Sequence, residues 1–118
     1  MPGNLYHAAI PEEWERARIA GSYTVSTRER SLDDEGFIHC SYHHQVEQVA
    51  NNFYADLPDL MLLEIDPTQL NVAVLDENLD GGDERFPHVY GPVPLHAIVA
   101  ASPWIRSPDG RYVLDAGD

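Results

Sequence analysis

A chain of 118 residues has room for one hydrophobic core and not for two. Hydrophobic side chains make up 43% of it, which excludes global disorder. The 20 acidic against 7 basic side chains give a net charge of −13, a field that repels phosphate backbones and anionic membrane surfaces and so excludes both as principal partners.

In chain order, Asn4 to Ala9 reads as an opening strand, and the Met1 to Ile10 segment lacks the basic-then-apolar pattern of a secretory signal. Pro11 suits a first helical turn, Glu12, Glu13 and Glu15 favour its positive end, and Gly21 supplies a stop. Trp14, Ala17 and Arg18 share one face of that helix. Ser22 to Asp34 is polar and predicts a loop, with a short strand at Tyr23–Val25. Gly36 to Cys40 predicts a short buried strand, and Ser41 is placed to cap a second helix in which Val46, Val49, Ala50 and Phe53 form one stripe.

Leu60 to Ile65 is the most apolar run and predicts a central strand, closed by Asp66–Pro67. Val72 to Leu75 predicts another strand. Asp76 to Arg85 predicts an acidic loop made pliant by Gly81–Gly82. Phe86 to Pro92 is proline-rich and predicts an edge or rigid turn. His96 to Ala101 returns to strand character. Pro103, Pro108 and the turn pair Asp109–Gly110 predict an irregular tail after an ordered core of about residues 4–102. Two helices in the N-terminal half and several later strands make a single α+β domain over 1–118. No apolar run reaches the roughly 20 residues of a membrane span. The only cysteine, Cys40, precludes an intrachain disulfide and points to the cytoplasm.

Chemistry concentrates in two segments. His39, Cys40 and Ser41 stand where a strand meets a helix N-terminus, whose free N–H groups suit an anion. His88 and Tyr90 are two apart, so in extended chain an imidazole and a phenol share a face. Glu77 precedes them, and a carboxylate there can orient a ribose or stabilise a developing cation. His43 and His44 are neighbours and lack the i, i+4 spacing of a two-histidine metal site; with no C-x-x-C or H-E-x-x-H, no metal is expected. No phosphate-cradling glycine motif and no serine nucleophile elbow is present.

Leu5–Tyr6–His7, Gly36–Phe37–Ile38–His39–Cys40–Ser41 with Gln45, Leu63–Glu64–Ile65–Asp66, Glu77, and Phe86–Pro87–His88–Val89–Tyr90–Gly91 together resemble a bacterial and plant family known as domain of unknown function 952. That resemblance implies an ADP-ribosyltransferase-like fold with a split, curved sheet around a dinucleotide cleft. It implies His7 at the first-strand position that contacts the dinucleotide and Ser41 at the nicotinamide pocket. The third-position Glu has no aligned counterpart, and Glu77 is the candidate. His7, His39, Glu77 and His88 are then the expected catalytic residues, and Ser41, Gln45, Tyr90 and Gly91 the expected ligand-binding ones. NAD is the implied substrate and no resident cofactor is implied. The alternative is a non-catalytic module for a nucleotide or small polar ligand using the same residues.

Overall fold

Proline and glycine bracket the first helix as local chemistry dictates. In the computed structural model, which describes residues 3–27, 30–78 and 84–114, strand β1 (Leu5–Ala9) leads into helix α1 (Pro11–Ala20). Pro11 opens that helix, and Gly21 closes it in the left-handed conformation at φ 97°, donating to the Ala17 carbonyl. Ala17 is buried and Trp14 packs against the core, whereas Arg18 is exposed and pairs with Glu15.

The polar stretch read as a loop holds more order than expected. Strands β2 (Ser22–Tyr23), β3 (Val25–Thr27) and β4 (Arg30–Ser31) precede a one-turn helix α2 (Leu32–Glu35). Ser31 and Asp34 form a reciprocal capping box there, each side chain taking the other's backbone N–H. Gly36 is therefore the left-handed end of a helix (φ 84°), and strand β5 is only Ile38–His39.

Helix α3 (His43–Phe53) has Tyr42 and not Ser41 at its N-cap. Ser41 is drawn away from capping by a backbone bridge to Tyr6, with N–H···O distances of 2.7 and 2.8 Å. Its buried face is Gln45, Val46 and Ala50, continued by Tyr54; Phe53 is 54% exposed and does not belong to it.

Strand β6 (Asp59–Ile65) is central, as its apolar run predicts, between β1 and strand β10 (Ile98–Ile105), antiparallel to both. Strand β7 (Val74–Glu77) starts later than predicted and takes Asp76 and Glu77 out of the acidic loop; Gly81–Gly82 lie outside the described residues. Strand β8 (Phe86–Val89) is the middle of a second antiparallel sheet, β5–β8–β7, not an edge. Pro87 is tolerated because β5 spans two residues, so the missing donor removes at most one ladder bond, and the Pro87 carbonyl still accepts from Cys40 at 3.0 Å. Strand β9 (Val93–Pro94) pairs with β2.

The tail is less irregular than its prolines suggest. β10 runs through Pro103 to Ile105 on a sheet edge, where a proline costs little, and Trp104 and Tyr112 are buried together beyond residue 102. The β1–β6–β10 sheet thus separates two cores. One holds Leu5, Ala9, Leu63 and Ile65 with α1 and the second sheet; the other holds Ala8, Leu60 and Trp104 with α3. No helix among the described residues is long and apolar enough to cross a membrane.

Candidate functional site

Strand alternation builds one face of the β5–β8–β7 sheet. Ile38, Cys40, Pro87 and Val89 turn inward and are buried. Their alternates Phe37, His39, Phe86, His88 and Tyr90 lie on the opposite side, and cross-strand register sets His39 opposite His88 and Glu77 opposite Phe86. Phe37 stacks on His88 with ring centroids 4.1 Å apart. The His39 ring lies 4.9 Å from Phe86 and 5.3 Å from His88.

Glu77 ties this face together. Its Oε1 accepts from the Tyr90 hydroxyl at 2.5 Å and from His88 Nδ1 at 3.0 Å. These bonds, Tyr90 first, hold the Glu77 carboxyl below the usual carboxylate range, so it is an anion at neutral pH. The same bond pushes the Tyr90 phenol up. A carboxylate only accepts, which fixes a proton on His88 Nδ1. Glu77 keeps 23% of its side chain exposed while His88 keeps 4%.

His7 lies apart, inside the protein. Its Nδ1 donates to the His39 carbonyl at 2.8 Å, and its Nε2 accepts from the Tyr23 hydroxyl at 3.1 Å, so both ring nitrogens are occupied. Burial lowers its pKa to about 4, and the ring is neutral. Ser41 is buried at the Tyr6 bridge. Gln45 is buried as a strut: its Oε1 accepts from Tyr42 N–H, and its Nε2 donates to the Arg85 carbonyl at 2.7 Å, fastening α3 to the approach to β8. The expected residues His39, Glu77, His88 and Tyr90 thus meet; His7 holds the His39 carbonyl from behind, whereas Ser41 is tied to Tyr6 and Gln45 to Tyr42 and Arg85. Phe37 and Phe86 were missed, although the alternation of Phe37 and His39 with Ile38 and Cys40 carries them.

Gly91 is held by sterics. A Cβ there would overlap the Val72 side chain, with Val72 Cβ only 3.0 Å away. Gly91→Ala is expected to cost about 1–3 kcal/mol by overpacking, and Val72→Ala in the same chain to recover part of that, as read by urea denaturation. Cys40 is buried and its thiol is pushed up to about 12 by burial alone. Native protein should therefore resist iodoacetamide at pH 8 and react only on unfolding; rapid native alkylation by mass spectrometry would contradict this.

The 93-residue stretch from 9 to 101 matches the family described as "Protein of unknown function (DUF952)". The chain belongs to that family. Among solved structures it is similar to protein CC0527 from Caulobacter crescentus. Crystal structures of that protein, one of them a double mutant, are 23% identical over 94% of each chain with a TM-score of 0.76. Its solution NMR structure is 26% identical over 92% of this chain and 90% of that one, again with a TM-score of 0.76. These likenesses establish a shared fold for this DUF952 member. No curated protein matches it.

Proposed function

We propose that the Glu77 face of the β5–β8–β7 sheet is an NAD site of ADP-ribosyltransferase type. The observation that carries this reading is the Glu77 carboxylate, kept ionised by Tyr90 and His88 on one oxygen and flanked by aromatic rings. Cleavage of the bond between ribose C1′ and nicotinamide sends the electron pair out with nicotinamide and leaves an oxocarbenium-like ribose. A preorganised anion beside that carbon lowers the barrier, and it needs no reorganisation because its hydrogen bonds are already made. His39 and Phe86 offer flat surfaces for stacking the leaving ring. The sheet pattern is in keeping with a split sheet: two three-stranded sheets meet at the Tyr6–Ser41 bridge.

A second reading has its own support. With both His7 nitrogens engaged inside the protein, the first-strand histidine has no free atom for a dinucleotide, which favours a small-ligand module that binds without chemistry. Incubation with millimolar NAD separates the two. The enzyme reading expects a rise in Tm together with nicotinamide release, and Glu77→Gln is expected to slow release about 100-fold while retaining the thermal shift. A shift without release in the unaltered protein leaves the binding module. Neither shift nor release removes NAD from both readings.

A further inference from the structure

On its other side, the β1–β6–β10 sheet is incompletely covered. Register puts Tyr6 opposite Glu64 and Ser102 opposite Leu62, all on the face that α3 packs against. Between His43, the first residue of α3, and the Val113–Leu114 segment lies a hollow of about 500 Å³ floored by these residues. That volume suits a small organic ligand. Trp104 and Leu114 give it apolar walls, and Trp104 is fixed by an Nε1 bond to the Val113 carbonyl at 3.1 Å.

One charged group serves this hollow. Glu64 brings a carboxylate, whose Oε2 accepts from Asn4 Nδ2 at 2.7 Å. His43 lines the hollow with the side of its ring, which sits edge-on to Tyr6 at 5.0 Å.

We propose that this hollow binds a primary amine with a compact aromatic body. An ammonium is complementary to the Glu64 carboxylate. The aromatic body covers Leu62 and Trp104, and the rings of Tyr6 and Trp104 add attraction for the cation. The net charge of −13 draws cations and discourages anionic competitors. The site is separate from the Glu77 face and does not depend on the reading given to that face.

The test is titration of 2-phenylethylamine into the full chain, read by calorimetry and by the Trp104 indole resonance in NMR spectra. Saturable binding is expected, with the indole resonance shifting. Replacing the amine by 2-phenylethanol, or Glu64 by Gln, is expected to weaken binding about tenfold or more. The comparison of amine with alcohol on the unaltered chain keeps the test decisive should Glu64→Gln disturb folding through Asn4. Absence of saturable binding up to about 10 mM, or equal affinity for the amine and the alcohol, overturns the proposal.

Discussion

Lowering the pH from 7 to 5 is expected to remove about 2 kcal/mol of folding stability through His7 alone. His7 is 4% exposed, and burial depresses its folded pKa from the ordinary 6.5 to about 4. The unfolded chain therefore takes up a proton at a pH where the folded chain refuses it. The stability tied to the neutral ring is fully present above pH 6.5, is lost progressively as pH falls, and is exhausted near pH 4, for a total of about 3 kcal/mol. Protonation adds a charge that burial leaves without solvent, and it forces the Tyr23 hydroxyl, which now donates to Nε2, to turn and accept from it. Glu77, Asp34 and Asp109 are also held below their ordinary values, so their contributions fade at lower pH than this window. Urea denaturation at half-unit steps from pH 7 to 5, for the native chain and for His7→Gln, isolates the effect. A slope that persists unchanged in His7→Gln would place the proton uptake elsewhere.

That both ring nitrogens of the first-strand histidine would be bonded inside the protein was not legible in the sequence. Tyr6–His7–Ala8 gives residue types but not the distant Tyr23 and His39 that claim both nitrogens. Local punctuation was more readable. Pro11 and Gly21 bound α1 because each acts on its own φ angle, and the Leu60–Ile65 run marks the strand that is flanked on both sides. The grouping of side chains around Glu77 was half readable by the same logic. The two-residue spacing of His88 and Tyr90 predicts a shared face, and they share a single carboxylate oxygen. What joins Glu77 to them is strand pairing across residues for which the sequence suggested a loop, a long-range event with no local signature. Pro87 misled for a related reason: proline predicts an edge only where every ladder bond matters, and β5 is too short to need the bond it removes. The third helix end shows the limit of stripe counting, since Tyr54, just past the helix, takes the buried place that spacing had given to Phe53.

Leu63→Ala is expected to cost about 2–5 kcal/mol, enough to leave a domain of this size partly unfolded if its total lies at the low end of the usual range of roughly 5–15 kcal/mol. Leu63 is fully buried on the central strand, paired with His7 on one side and Ala101 on the other. It belongs to the core that joins β1 to Ile38, Cys40 and Val89 behind the Glu77 face. Neighbouring strands cannot collapse onto the void, because their backbones are held by the sheet ladder on both sides, so the cavity cost adds to the lost transfer free energy. Leu62, one residue away on the opposite face, is only half-buried, and Leu62→Ala should cost clearly less. The two losses differ in kind as well as size. Because His7 is the cross-strand partner of Leu63, space opened there admits water to the imidazole, weakens the desolvation that depresses its pKa, and flattens the acid slope described above. Leu62→Ala leaves that slope intact. Denaturation of both variants at pH 7 and pH 5 reads both effects at once; equal costs and equal slopes would mean that the His7 side of the sheet is not the better-packed core.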